Sequence, residues 1–141
     1  MNLVLDAGVL SRLCHPNPTQ AASIWIRIEQ LRTMHPGASF YIPEIADFEV
    51  RRKLLHMHKK HSLAHLDKLG ETFTYLCIDT PTMRRAAAIW ADARRHGHPS
   101  AGESRLDADV ILAAQALGVG GTVATTNVRH LSHYVAVEDW T

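Results

Sequence analysis

Cysteine is scarce: the 141 residues hold two, Cys14 and Cys77, in apolar contexts and without the spacing of a metal site. Such usage implies no disulfide framework and leads to the expectation of buried free thiols in a reducing compartment. A long hydrophobic run is also missing. The amino terminus, MNLVLDAGVL, lacks a basic leader and is interrupted at Asp6, which argues against a signal peptide or a membrane span and for a cytoplasmic protein. Net charge is nearly absent, at +1 with histidine neutral, so any nucleic-acid contact has to come from a local basic patch. No repeat, low-complexity tract or linker divides the chain, and its length suits one domain over residues 1–141.

What is present is a globular composition, with 46% hydrophobic and 21% charged residues, and a stretch that organises the rest, Leu106 to Leu131. It opens on Asp107 and Asp109. Val110, Ala113, Ala114 and Leu117 then recur at helical spacing, which predicts a helix beginning at Asp109 with a buried face. Gly118 and Gly120-Gly121 end it, and Thr122 to Thr125 reads as a β-branched strand leading into Thr126 and Asn127. In open parallel sheets the carboxyl ends of strands are where ligands sit, so Asp109 and Asn127 are candidates for one crevice.

Upstream, Asn2 to Leu5 is a short apolar run of the kind a central parallel strand requires, and it ends at Asp6. Asp6 either caps a helix carrying Val9, Leu10 and Leu13 or meets a cation; the residues alone leave both open. Asn17-Pro18 starts a helix with Ile24, Ile28 and Leu31 on one face, and His35-Pro36-Gly37 stops it. Phe40 to Ile42 is a second strand. Pro43 restarts helix through Ile45, Phe48, Arg52 and Leu55, and among its acids Glu49 stands beside the apolar stripe rather than in the first turn. Arg51, Arg52 and Lys53 open a basic run that is either a solvated helix face or a phosphate-contacting surface. His61 and His65 have zinc-like i, i+4 spacing without the catalytic glutamate of a metalloprotease, and are expected on the surface. Phe73 to Ile78 is a third strand, and Asp79-Thr80-Pro81 begins a helix with Met83, Ala87, Trp90 and Ala91 as its apolar side. Gly97 and Pro99 end that helix, His98 to Ser104 reads as a polar loop, and Tyr134 to Val137 as an edge strand.

The order β-α-β-α-β-α-α-β-α-β predicts a three-layer α/β/α sandwich around a mostly parallel sheet. Asp6, Glu49, Asp109 and Asn127 then fall at one edge. Three carboxylates together repel one another, which makes sense mainly around a hard divalent cation.

The segments LDAGVL, IADFEVRRKL, DADVILAAQAL and ATTNVRHL, in this order and spacing, resemble the PIN-domain ribonucleases, particularly the VapC-type toxins of toxin–antitoxin systems. The resemblance spans the chain and implies an acidic quartet at Asp6, Glu49, Asp109 and Asn127. The first three would be ligands of Mg²⁺ or Mn²⁺. It selects Asp109 over Asp107, which would cap the helix or support the ligands from behind, as would the hydroxyl of Thr125. It further implies an RNA substrate, a small antitoxin partner and a homodimer, with Trp25 or Trp90 available to either interface. Two departures stand out: Ala7-Gly8 where the family usually has a hydroxyl or amide residue after the first Asp, and Asn127 where many relatives have Asp. A catalytically weak or inactive PIN-like module that binds RNA or protein is therefore the alternative. A haloacid dehalogenase phosphatase would need an acid at Gly8, and a receiver domain a lysine near Asn127; the sequence has neither.

Overall fold

A computed structural model describes residues 1–97 and 103–141, without the side chains of residues 103 and 104. The polar loop read over His98 to Ser104 thus lies, for residues 98–102, outside the described residues. Five parallel strands form one sheet in the order β3-β2-β1-β4-β5. The first, β1 (Asn2–Leu5), is also the central one, which is why it has no polar face: Leu3, Val4 and Leu5 are fully buried. Leu3 and Leu5 point to one side, where α1 (Ala7–Cys14), α2 (Pro18–Met34), α3 (Glu44–His56) and α4 (Lys60–Thr72) cover the sheet. Val4 points to the other, against Leu112, Ala113 and Ala116 of α6 (Glu103–Gly118). Outside α6 lies α5 (Thr80–His96), joined to it through Ala86 and Ala93 against Val110 and Ala114. The α/β/α sandwich expected from the sequence is the architecture observed.

From β1 the chain runs outward through β2 (Ser39–Pro43) to β3 (Thr74–Leu76), then returns through α5 and α6 to place β4 (Thr122–Thr125) on the opposite side of β1. A four-residue α7 (Val128–Leu131) leads on toward β5 (Val137–Asp139). The point where the strand order reverses therefore lies between the carboxyl ends of β1 and β4.

Local signals placed most boundaries. Asn17 accepts from the Thr19 N–H and Asp79 from the Thr82 N–H, each ahead of a proline in the first turn, and Gly97 ends α5 in the left-handed region at φ 62°. At Gly121 a Cβ would stand 3.0 Å from Val4 Cγ2, so the turn into β4 needs glycine to bring β4 alongside β1.

Several expectations are corrected. The first crossover holds two helices, as the residues suggest, and the second holds α3 and α4 where a single helix was expected. α6 begins at Glu103, so Asp107 and Asp109 lie inside the helix and Asp107 caps nothing. Because α6 is enclosed by the sheet on one side and α5 on the other, burial runs around it and includes Leu112 and Ala116, while Leu117 is exposed. On α3 the buried positions are Ile45, Ala46, Asp47 and Val50; Phe48 and Leu55 face solvent, Phe48 under the Arg52 guanidinium at 5.1 Å. The inward side of α5 is Ala86 and Ala93 with Ile89 and Trp90, leaving Met83 and Ala87 exposed. Tyr134 and Val135 belong to the turn closing α7, both N–H groups returning to the Leu131 carbonyl, so the last strand starts only at Val137. Cys14 is buried, its thiol pushed up to about 12 by burial, but Cys77 is exposed.

Candidate active site

A cavity of about 330 Å³ opens at the switch point, and Asp6, Glu49, Asp109 and Asn127 all line it. Asp6 arrives on the end of β1 and Asn127 two residues beyond β4. Glu49 and Asp109 come instead from within α3 and α6, which lean over the strand ends. Sequence residues from the first, middle and last thirds of the chain are brought to one place by the reversal of strand order.

Asp6 caps α1, the first of the two roles the sequence left open. Its Oδ1 accepts from the Ala7 N–H at 2.6 Å, capping α1, and its Oδ2 accepts from Thr125 Oγ1 at 2.5 Å. Its own N–H donates to the Ala124 carbonyl at 3.0 Å, locking the carboxylate's backbone to β4. Thr125 is fully buried, and its Oγ1 also accepts from the Asn127 N–H at 2.8 Å, so one hydroxyl orients the acid and the amide-bearing turn together. At Gly8 a Cβ would meet Thr126 Oγ1 at 3.2 Å, a tight contact where α1 passes close to the turn after β4.

Glu49 is half-buried and Asp109 is 7% exposed. Burial pushes Asp109 up from 3.8 to about 6; Arg105 opposes the rise, while Asp6 and Glu49 add to it. Glu49 is raised as well, first by burial and then by Asp6, against the fields of Arg105, Arg52 and Lys53. These are carboxyls held where ionisation is unfavourable, a condition that a hard cation would relieve. No group of three or more His, Cys, Asp or Glu side chains among the described residues is arranged to hold a metal ion. The donor chemistry of Asp6, Glu49 and Asp109 on one cavity fits such an ion.

The other candidates separate. Asp107 is about 200° around α6 from Asp109 and borders an open groove with Met83 and Trp90, away from the carboxylates. Arg51 turns from the cavity: its Nε donates to Asp47 Oδ1 at 2.9 Å and it reaches Asp67 at 2.9 Å, while the Tyr75 hydroxyl donates to Asp47 Oδ2 at 2.8 Å. Lys53 does line the cavity. So does Arg105, which sequence reasoning missed, although its position one turn before Asp109 on the same helix would have placed it there. His61 and His65 lie with ring centroids 4.8 Å apart and ring planes tilted by 49° on α4, outside the cavity.

An open, all-parallel α/β/α sheet with acids gathered at its switch point defines a class of domain that handles a charged ligand at its strand ends. The chain belongs to the PIN-domain family, whose members are generally nucleases; the family matches residues 3–135. VapBC2 from Rickettsia felis, bound to a DNA fragment from their promoter, superposes with a TM-score of 0.79 at 16% identity, over 100% of both chains. FitAcB from Neisseria gonorrhoeae gives 0.74 at 26% identity, covering 97% of this chain and 96% of that one. VapBC-1 from nontypeable Haemophilus influenzae gives 0.74 at 19% identity, covering 99% and 98%. No curated protein matches the chain. No helix among the described residues is long and apolar enough to cross a membrane.

Proposed function

We propose that the protein is a divalent-metal-dependent endoribonuclease and the toxin of a toxin–antitoxin pair of the VapC type. The observation that carries this reading is the convergence of Asp6, Glu49 and Asp109 on one cavity in a PIN-domain chain. Mg²⁺ or Mn²⁺ bound among them would act as a Lewis acid, making water more acidic and offsetting charge on the phosphate. The chain's own part is positional: Thr125 and the Ala7 N–H fix both oxygens of Asp6. The three carboxylates would act chiefly as ligands, and one of them would accept the proton from water. Asn127 adds an amide that supplies a dipole and no further negative charge.

The likeness to VapBC and FitAB structures supports a small antitoxin as partner. A homodimer and a cytoplasmic location follow from the same reading. Incubation of purified protein with total RNA tests it: cleavage should occur with Mg²⁺ and stop with chelator. Equal RNA patterns in both conditions would refute it. The second reading, an inactive module that binds RNA or protein, draws on the carboxylates not being preassembled around one centre.

A further inference from the structure

We infer that Arg105 and Lys53 form a phosphate clamp at the rim of the acidic cavity, seating the nucleic-acid backbone above Asp6, Glu49 and Asp109. This rests on the ribonuclease reading. Both cations line the cavity, from different helices. On α3, Lys53 stands one turn from Glu49; on α6, Arg105 stands one turn from Asp109, so each wall offers an acid and a cation on the same helix face. Burial orders them by depth. Asp109 is buried and Glu49 half-buried, whereas Lys53 and Arg105 are exposed, which puts acids at the floor and cations at the mouth.

Charge gives the arrangement a purpose. Three carboxylates facing two cations leave the lining with net negative charge, which repels a phosphodiester; a divalent ion on the floor reverses that sign. The phosphate then meets positive charge below and at both sides. Arg105 suits the role because a guanidinium offers paired donors to phosphate oxygens, with Lys53 as a point charge opposite. The field of Arg105 is felt at both Glu49 and Asp109, so it reaches across the floor. The two neighbouring arginines of α3 are otherwise engaged, Arg51 with Asp47 and Asp67 and Arg52 over Phe48.

The test measures steady-state cleavage of a fluorescent single-stranded oligoribonucleotide by the full chain in Mn²⁺ at several salt concentrations, with calorimetric Mn²⁺ titration of the RNA-free protein. Arg105→Ala should raise KM on the order of tenfold with kcat changed less than about twofold, the mark of lost ground-state binding. It should also flatten the dependence of log(kcat/KM) on log salt by about 0.7, one single-strand phosphate contact. Mn²⁺ should bind the variant more tightly, since a repelling charge has gone, and Arg105→Lys should restore part of the RNA affinity. Arg84→Ala, an exposed cation on α5, serves as the control. An active wild type whose Arg105→Ala variant keeps its KM and salt slope overturns the clamp alone. A wild type that cuts no RNA with Mn²⁺ overturns the ribonuclease reading, and the clamp with it.

Discussion

Thr125 Oγ1 and Asp6 Oδ2 stand 2.5 Å apart, a hydrogen bond joining the carboxyl ends of the neighbouring strands β4 and β1. A hydroxyl serving a carboxylate on one side and the Asn127 N–H on the other has no substitute of equal shape without oxygen. Thr125→Val keeps the volume and removes both bonds. It should lower stability by about 2 kcal/mol, read as an earlier urea midpoint with unchanged m, and should reduce cleavage; Thr125→Ser should retain most of the activity. A Val variant with wild-type stability and rate would mean that Asp6 is positioned without Thr125.

Asp109 should make the metal-free protein less stable as pH rises. Its folded pKa, about 6, lies above its ordinary 3.8, so between these values the native state holds more protons than the unfolded chain. Stability therefore falls with pH through that window, and the loss is complete above about 6. Glu49, shifted in the same direction, adds to the slope. Asp109→Asn should remove most of this dependence, gain about 2 kcal/mol at pH 7.5 or so in chelator, and abolish cleavage. Urea unfolding across pH 4 to 8 would check it, and a flat wild-type profile would contradict the assigned burial.

The parts of this fold legible in the sequence are those fixed by neighbours along the chain. Asn17-Pro18, Asp79-Pro81 and Gly97 act within one helical turn, and the apolar run Asn2 to Leu5 reports its own burial. Which side of a helix is inward depends on partners distant in sequence. Phe48 and Leu55 have the right spacing, yet α3 buries Ala46 and Val50 against the sheet side, with Asp47 between them bonded to Arg51 and the Tyr75 hydroxyl. On α6 the periodic positions Val110, Ala113 and Ala114 are buried as read, but Leu112 and Ala116 are buried too because the helix is covered on two sides. Asp6, Glu49, Asp109 and Asn127 were legible from the element order, which puts them at one edge, and the family likeness singled out Asp109 over Asp107; Arg105, one turn before Asp109 on α6, shares the cavity with them.

Mn²⁺ should stabilise the protein, and this distinguishes a working site from an inert module. A ligand present at a hundredfold excess over its dissociation constant adds about 2.7 kcal/mol, roughly 8 °C in Tm for a domain of this length. Asp6→Asn, Glu49→Gln and Asp109→Asn should each shrink the shift, while Asp107→Asn should leave it intact because Asp107 borders a different groove. A shift in Asp107→Asn as small as in Asp109→Asn would mean that the acid lying about 200° away on α6 had been wrongly set aside.

Arg51 tests the division between structural and substrate-facing cations. Its guanidinium bridges Asp47 on α3 and Asp67 on α4, and Asp47 is 8% exposed, so truncation strands a buried carboxylate with only the Tyr75 hydroxyl for a partner. Breaking one side of such a pair is strongly destabilising, moderated here because Arg51 itself is partly exposed, and Arg51→Ala should lose about 2 kcal/mol in urea unfolding. Asp47→Asn should offset part of that loss when combined with it, since the stranded charge is gone. The salt dependence of RNA cleavage should stay at the wild-type slope in Arg51→Ala at a temperature where it is folded. A reduced slope there would place Arg51 on the phosphate backbone after all, and would move the basic surface from the cavity rim to the outer side of α3.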